Sequence, residues 1–172
     1  MKSATIRALV TGGAGGIGGA IAAELLDRGG AVLLVDRDAP ALDRAVGRLA
    51  RYGDRVGILP ADLTSAADRK RICDEAAAWR GGVNVLINNA GINHFRMFED
   101  QPPEQLDLAL AINVQAPIHL CQGMLPQLRR QPEACILNTG SVFGAIGYPG
   151  YAVYSATKFA VRGLTEALRR EL

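Results

Sequence analysis

The chain alternates short runs rich in Val, Leu and Ile with longer stretches in which apolar residues recur at helical spacing. The short runs predict buried strands and the longer stretches amphipathic helices. Such alternation is typical of right-handed βαβ units, which build a parallel sheet with helices on both faces. The predicted strands span residues 5–10, 31–35, 55–59, 83–87 and 135–137, and the predicted helices 17–28, 41–51, 65–79, 103–130 and 152–172.

Two of these helices carry more detailed predictions. Pro117 lies inside the helix at 103–130 and predicts an interruption or kink, because proline lacks an N–H and its ring collides with the preceding turn. The last helix is predicted to bury one broad apolar face. This face comprises Val153, Ala156, Ala160, Leu164, Ala167 and Leu168. No shift of composition typical of a linker interrupts the pattern, so residues 1–172 are predicted to form a single α/β domain.

Composition narrows the class of function. A net charge of +2 and the lack of basic runs argue against binding to nucleic acid or to an anionic membrane. We expect no membrane span, since the longest apolar runs have the length of strands. Residues 1–10 lack the charged and apolar regions of a signal peptide. These features predict a cytoplasmic protein.

Cysteine and histidine usage agrees with this location and argues against a metal site. The three cysteines, at 73, 121 and 135, are odd in number and far apart, which favours reduced thiols over a disulfide framework. His94 and His119 are the only histidines, and neither has metal-ligand spacing to a partner.

A glycine-rich segment, Thr11-Gly12-Gly13-Ala14-Gly15-Gly16-Ile17-Gly18, joins the first predicted strand to the first predicted helix. Glycine lets the main chain approach a pyrophosphate closely, and a helix N-terminus offers N–H groups and a positive dipole end to the anion. The alternative is a plain glycine-rich turn. The flanking strand and helix favour a phosphate-binding loop.

Asp36 ends the second predicted strand, about twenty residues after this loop, where an acidic residue meets the adenosine ribose of a dinucleotide. A carboxylate there binds the ribose hydroxyls and repels a 2′-phosphate, which favours NAD over NADP. Arg37 leaves NADP open, since its guanidinium could pair with that phosphate. The alternative for Asp36 is a solvated acid at a strand end.

Tyr154 and Lys158 lie four residues apart at the start of the last helix and therefore share one helical face. A lysine ammonium near a phenol stabilises the phenolate, which gives a tyrosine able to exchange a proton with an alcohol or carbonyl oxygen. The spacing alone is common on helices. Tyr148 and Tyr151 lie nearby, but neither has a lysine four residues later.

Ser141 follows the fifth predicted strand, at the edge of the sheet where ligands bind in α/β folds, and its hydroxyl could hold a substrate oxygen. Its alternative role is that of a turn residue. Asn113 lies inside a predicted helix although asparagine is a poor helix former. It either bends the helix or holds a water molecule.

Taken together, these motifs resemble the short-chain dehydrogenase/reductase family, in its compact single-domain branch. The matching elements occur in the family's order across nearly the whole chain. They are Thr11-Gly-x-x-x-Gly16-x-Gly18, Asp62, Asn88-Asn89-Ala90-Gly91, Asn113, Ser141 and Tyr154-x-x-x-Lys158. The resemblance implies a Rossmann-like doubly wound parallel sheet with strand order 3-2-1-4-5.

The resemblance also implies the roles of the site residues. Tyr154 would be the general acid/base, Lys158 would favour its ionised form and bind the nicotinamide ribose, Ser141 would orient the substrate oxygen, and Asn113 would hold a water that links Lys158 to solvent. The resemblance implies cofactor contacts at Tyr154 and Lys158 and at Gly12, Gly15, Gly16, Ile17, Gly18, Asp36, Arg37, Asp62, Leu63, Asn89, Ala90 and Gly91.

Relative to the family, the sequence stops early. Members of the family continue beyond the Tyr-bearing helix with two strands and a substrate-covering segment, so we expect a partial chain in which the fifth strand is an exposed apolar edge. The substrate contacts that remain predictable are Ser141, His94, Phe143 and Tyr148. Phe143 and Tyr148, together with Ile146, favour an apolar entrance and a hydrophobic or lipid-like substrate.

The sequence therefore predicts an oxidoreductase that transfers a hydride between NAD, or NADP, and a small alcohol or carbonyl compound. The alternative is a nucleotide-binding scaffold or sensor without turnover, and a third hypothesis is an epimerase or dehydratase of the extended relatives. The three-residue gap between Gly12 and Gly16 argues against the third. The family resemblance further implies a homodimer or homotetramer.

Overall fold

The computed structural model describes residues 6–172, which form a five-stranded parallel sheet with helices on both faces. The strands are β1 (Arg7–Thr11), β2 (Ala31–Asp36), β3 (Val56–Pro60), β4 (Val85–Asn88) and β5 (Cys135–Asn138), in the order β3-β2-β1-β4-β5. The helices are α1 (Gly16–Asp27), α2 (Ala39–Arg48), α3 (Ala66–Ala78), α4 (Pro103–Leu110), α5 (Ala116–Leu128) and α6 (Ala152–Glu171).

The predicted fold class and strand order are therefore confirmed. Element boundaries differ from the prediction by a few residues. The second helix ends at Arg48, because a 3₁₀ segment, Ala50–Arg55, follows it. Thr5, the predicted start of the first strand, lies outside the described residues.

The central strand β1 divides the core between the two faces. Ala8 and Val10 pack on the side of α1 and α2, where Leu26 and Leu42 are buried. Leu9 points to the opposite side, where α3 and α5 supply Ile72, Leu120 and Met124, among others. Successive residues of a strand face opposite ways, so the apolar centre of β1, Ala8 to Val10, serves both layers.

The long helical region contains a wider turn just before Pro117. Residues Ala111–Gln115 form a π-helical turn between α4 and α5, and Asn113 lies at its centre. The proline ring would collide with the carbonyl group four residues earlier, which belongs to Asn113, and the wider turn relieves that collision. The predicted irregularity is thus present, but it takes the form of a π turn.

The prediction for the buried face of α6 is wrong in part. Ala156, Ala160 and Ala167 are exposed, and Val153, Leu164 and Leu168 are only half-buried. The fully buried side chains are Ser155, Thr157, Lys158 and Val161. Two of these polar side chains, Thr157 and Lys158, face inward because they find hydrogen-bond partners on other elements, described below.

Strand β5 forms one edge of the sheet, and its apolar side chains are open. Cys135 and Leu137 pair with Val85 and Ile87 of β4, so they face the layer of α1 and α2. Neither helix reaches them, and Leu137 is 46% exposed. The expected exposed apolar edge is present in this structure.

The helical region predicted over residues 103–130 contains a more apolar segment than expected. Residues Pro103–Leu128 form 26 consecutive helical residues and include an 18-residue window with a mean hydropathy of 1.2, which suffices in length and composition for a membrane span. Core helices of globular proteins meet the same criterion, and α5 buries Leu120, Met124 and Leu128 against the sheet layer. The expectation that no apolar stretch reaches this length is therefore wrong.

Packing of α1 predicts a contrast between two aliphatic side chains of that helix. Leu26 is buried, whereas Ile17 is 65% exposed. We expect Leu26→Ala to lower the free energy of unfolding by about 2–5 kcal/mol, because it leaves a cavity. Ile17→Ala should change it by about 0.5 kcal/mol or less. Urea denaturation without nucleotide measures both, and equal losses would contradict this packing.

Candidate functional site

The glycine-rich segment forms a tight turn that brings β1, α1 and the end of β4 together. Gly12 has φ +64°, a conformation that L side chains rarely adopt. A Cβ at Gly18 would overlap the carbonyl oxygen of Gly12 and would lie 2.9 Å from Asn89 Nδ2. These two positions therefore require glycine for backbone geometry. A Cβ at Gly16 meets nothing within 4 Å, since this residue faces the open cleft.

Thr11 ties this turn to the segment after β4. Its buried hydroxyl accepts hydrogen bonds from the N–H groups of Asn89 and Ala90, both at 3.0 Å. The Asn89 amide donates in return to the carbonyl oxygen of Thr11 at 3.0 Å. The two main-chain segments are thus locked side by side at the carboxyl ends of β1 and β4. Asn89 acts here as a structural clamp.

Asp36 closes one side of the cleft. Its carboxylate accepts hydrogen bonds from the N–H of Ala14 and the N–H of Asp38, both at 3.3 Å. It is half-buried and lines the cleft together with Arg37. Within residues 6–172 no carboxylate pairs with the Arg37 guanidinium. One negative and one positive group therefore lie next to each other at this position.

Asp62 and Leu63 line the cleft after β3. One oxygen of Asp62 accepts hydrogen bonds from the N–H and the hydroxyl of Thr64, at 2.9 and 2.8 Å. The N–H of Asp62 donates to Asp68 at 2.7 Å. These bonds hold the loop in place, and Leu63 presents an apolar side chain that also packs on the core.

The cleft matches the needs of a dinucleotide. Helix α1 begins at Gly16, and within the described residues no side-chain hydrogen bond caps its N-terminus. Its first N–H groups are therefore available to an anion such as a pyrophosphate. A hydrogen-bonding carboxylate lies at one end and the small residues Ala90 and Gly91 at the other. All predicted cofactor residues except Tyr154 and Lys158 line this one cleft.

Lys158 lies beside the cleft, almost completely buried. Its Nζ donates a hydrogen bond to the carbonyl oxygen of Thr139 at 2.8 Å and lies 5.6 Å from the centre of the Tyr154 ring. A Cβ built on Gly91 would be 3.8 Å from the same atom, so the ammonium group reaches the cofactor cleft. Burial lowers the pKa of Lys158 from its ordinary value.

Tyr154 is half-buried at the start of α6, and no other residue in the described part of the chain bonds its hydroxyl. The first turn of α6 is fixed close to the segment after β5. A Cβ at Gly144 would lie 2.8 Å from the carbonyl oxygen of Lys158, so glycine permits this approach. The phenol is therefore available to a ligand beside a nearby cation.

Asn113 connects three parts of the site. Its Oδ1 accepts a hydrogen bond from the N–H of Ile92, and its Nδ2 donates to the carbonyl oxygen of Ile92, both at 2.8 Å. The second Nδ2 hydrogen goes to Thr157 Oγ1 at 3.1 Å. Both amide hydrogens are thus used, so the expected water-holding role depends on the free lone pair of Oδ1.

Ser141 combines the two roles considered for it. Its Oγ accepts a hydrogen bond from the N–H of Phe143 at 3.2 Å and so begins a short 3₁₀ turn. An oxygen that accepts this bond still has its own hydrogen to donate. The half-buried hydroxyl lies at the carboxyl end of β5, on the segment that packs against Lys158.

The three other predicted substrate residues lie on two loops. Phe143 packs edge-on against Tyr154, with ring centres 6.2 Å apart. Tyr148 stacks on Phe143 at 5.8 Å. His94 belongs to the loop after β4, and its Nε2 is buried without a hydrogen-bond partner among the described residues.

The cysteines and histidines of the described residues form neither a disulfide nor a metal-ligand cluster. All three cysteines are free thiols, and burial raises the pKa of Cys121 to about 11. In residues 6–172 no group of three or more His, Cys, Asp or Glu is placed to hold a metal ion.

Sequence reasoning missed three threonines that assemble the site. Thr11 was part of a recognised motif, but its clamp joins groups 78 residues apart. Thr157 accepts from Asn113 and donates to the carbonyl oxygen of Tyr154 at 2.7 Å. Thr139 contributes its carbonyl oxygen, a group that every residue has, so the residue type gives no signal. Only Thr11 carried a signal in the sequence.

Comparisons with known proteins agree with this geometry. A family model described as short chain dehydrogenase matches residues 7–172. The chain is 37% identical over 171 residues to the rhamnolipids biosynthesis 3-oxoacyl-[acyl-carrier-protein] reductase of Pseudomonas aeruginosa, with 96% of this chain and 66% of that protein covered. It is 34% identical to the D-beta-hydroxybutyrate dehydrogenase of Cupriavidus necator, with 95% and 64% covered.

Solved structures give the same result. A short chain dehydrogenase/reductase from Burkholderia phymatum in complex with NAD superposes with a TM-score of 0.94 at 31% identity, over 100% of this chain and 62% of that one. The chain thus spans a little under two thirds of the length of these relatives. By its family model, its sequence and its fold, the chain belongs to the short-chain dehydrogenase/reductase family.

Proposed function

We propose that the protein is an NAD-dependent oxidoreductase that interconverts a secondary alcohol and a ketone. The observation that carries the proposal is the placement of the buried Lys158 ammonium between the Thr139 carbonyl group and the Tyr154 ring, next to the cleft at Gly91. The dehydrogenase and reductase activities named for two of the relatives support it.

The cleft residues would hold the nucleotide in the following way. The turn from Gly12 to Gly18, with Gly15, Gly16 and Ile17 at the start of α1, takes the pyrophosphate, and Asp36 takes the adenosine ribose. Asp62 and Leu63 border the adenine. Asn89, Ala90 and Gly91 border the nicotinamide half. When bound, NAD accepts the hydride from the carbinol carbon, and NADH returns one to the carbonyl carbon.

The protein's own groups move the proton. Tyr154 takes the hydroxyl proton of the alcohol, or returns it to the carbonyl oxygen in reduction. The Lys158 ammonium stabilises the phenolate through its positive charge and binds the nicotinamide ribose. Ser141 donates its hydroxyl hydrogen to the substrate oxygen and so fixes its distance from Tyr154. Asn113 positions α6 through Thr157 and keeps one lone pair for a water molecule.

The wider context of the protein belongs to the same proposal. The absence of a linker-like shift of composition supports a single domain, and the family resemblance supports a homodimer or homotetramer and a small-molecule substrate. The free thiols support a cytoplasmic location. A binding protein without turnover is the alternative that the first experiment below separates.

Tyr154→Phe removes the proton donor but keeps the ring. We expect kcat to fall by about 10²–10⁴-fold, the contribution of a positioned general acid/base, with the affinity for NAD unchanged. Absorbance of reduced nicotinamide, followed over a panel of ketones and alcohols, measures kcat. Tyr52→Phe is the matched control, since its hydroxyl bonds Asp27 away from the site. Retained turnover in Tyr154→Phe would refute the assigned acid/base, and a protein that binds NAD but turns over nothing would support the alternative.

Gly18→Ala tests the phosphate-binding turn. The added Cβ would overlap the Gly12 carbonyl oxygen. We expect NAD to bind about 10- to 100-fold more weakly, because overpacking displaces the turn. Titration calorimetry measures the affinity, with circular dichroism to check folding. Gly47→Ala in α2 meets nothing within 4 Å and serves as the control. If Gly18→Ala binds NAD as tightly as Gly47→Ala does, this turn is not the nucleotide site.

Asp36→Ala tests the cofactor preference. We expect the ratio of NADP to NAD affinity to rise about tenfold, because a negative charge near the 2′-position is removed while Arg37 remains. Asp43→Ala, an exposed acid of α2, should leave the ratio unchanged. Fluorescence titration with both nucleotides measures it. If NADP affinity does not change in Asp36→Ala, the repulsion argument fails.

A further inference from the structure

Four of the other seven Phe and Tyr side chains lie together next to the proposed proton donor, Tyr154. We call these four residues, Phe95, Phe143, Tyr148 and Tyr151, the aromatic cluster. Phe143 lies 4.7 Å from Tyr151, and Phe95 lies 5.1 Å from Tyr151, between ring centres. The cluster therefore joins the loop after β4 to the loop after β5.

The aromatic cluster is built into the fold. Gly150 has φ +78°, and a Cβ there would overlap Phe95 Cε2 and lie 2.9 Å from Cδ2. The N–H of Arg96 donates to the carbonyl oxygen of Gly150 at 3.0 Å. Close ring packing on a glycine, together with a main-chain bond beside it, holds the two loops in one arrangement. The rings are thus positioned before any ligand arrives.

Much of this aromatic surface is open. Phe95 is 70% exposed and Tyr148 is 56% exposed. The described residues place no hydrogen bond on the Tyr148 or Tyr151 hydroxyl groups. Two aromatic rings in an offset-stacked or edge-on arrangement stabilise each other beyond the effect of the area that they bury, a gain that a saturated ring does not have. Phe143 contacts Tyr154, so a ligand on the cluster would present its adjoining atoms to the proton donor.

Charged side chains near the cluster are few, but the Lys158 ammonium lies 5.6 Å from the centre of the Tyr154 ring and bonds the Thr139 carbonyl oxygen. Residues 142–157 contain no Asp, Glu, Lys or Arg. On the opposite loop, the Arg96 guanidinium bonds the carbonyl oxygen of Asp100 at 3.4 Å. The surface of Phe143 and Tyr148 therefore suits an uncharged ring better than a carboxylate or phosphate.

We propose that the substrate is a neutral secondary alcohol or ketone with an aromatic ring near its carbinol or carbonyl carbon, and that this ring packs on Phe143 and Tyr148. This inference rests on the proposed function and adds the class of substrate. In the productive arrangement the ring lies on the cluster, while the oxygen lies between the Ser141 hydroxyl and Tyr154.

The test compares two alcohols that differ only in the ring, 1-phenylpropan-2-ol and 1-cyclohexylpropan-2-ol. A methylene separates the ring from the carbinol carbon, so both carbons have similar intrinsic reactivity. We expect kcat/KM in the full protein with NAD to favour the phenyl compound by about two- to tenfold, the range for one ring–ring contact. Phe143→Leu and Tyr148→Leu should bring the ratio close to one. Phe159→Leu, an exposed aromatic residue of α6 outside the cluster, should preserve it.

Each outcome decides the proposal. A ratio near one in the wild-type protein would overturn it, and so would a preference that survives in both cluster variants. If neither alcohol nor the corresponding ketones turn over although NAD binds, the proposed function fails. Saturation-transfer NMR with the same two alcohols then decides the ring preference separately. Selective binding of the phenyl compound supports the cluster, and any other result, including equal binding of both alcohols or binding of neither, refutes it.

Discussion

The hydrogen bond from Lys158 to the carbonyl oxygen of Thr139 is the interaction on which the site depends. It joins α6 to the end of β5, and it satisfies a cation that is otherwise buried at considerable cost. Because it fixes the ammonium group, it also fixes the position of that charge relative to the Tyr154 ring and the cofactor cleft. The donor chain from Asn113 through Thr157 to the carbonyl oxygen of Tyr154 then holds the first turn of α6 in place.

The fold and the phosphate-binding turn could be predicted because their signals are local. Runs such as Ala31–Asp36 are apolar at nearly every position, since both faces of a central strand are covered. The glycines at 12 and 18 occupy positions that only glycine can fill, and their spacing is visible without any knowledge of remote contacts. The strand order could be predicted only from the family resemblance, because the sequence of one strand does not identify the strands beside it.

The orientation of α6 could not be predicted in the same way. Periodicity selects the helix face with the most apolar side chains. Thr157 and Lys158 nevertheless face inward, because each hydrogen-bonds a group on another element, and these partners lie 44 and 19 residues away in the sequence. The Thr139 carbonyl group leaves no trace in the sequence at all. Long-range polar contacts of this kind decide which helix face is buried, and they become visible only when the elements are assembled.

The π turn at Ala111–Gln115 limits which changes of length this chain can tolerate. A π turn closes with i→i+5 bonds and so takes up one more residue than an α turn over nearly the same rotation, which means that deleting one residue there restores a regular helix with α4 and α5 still in register. Leu120 and Met124 would keep their places in the sheet layer, whereas Asn113 would lose the wider turn that presents its amide to Ile92. A single-codon deletion in this segment would therefore spare the core and remove one support of the candidate site.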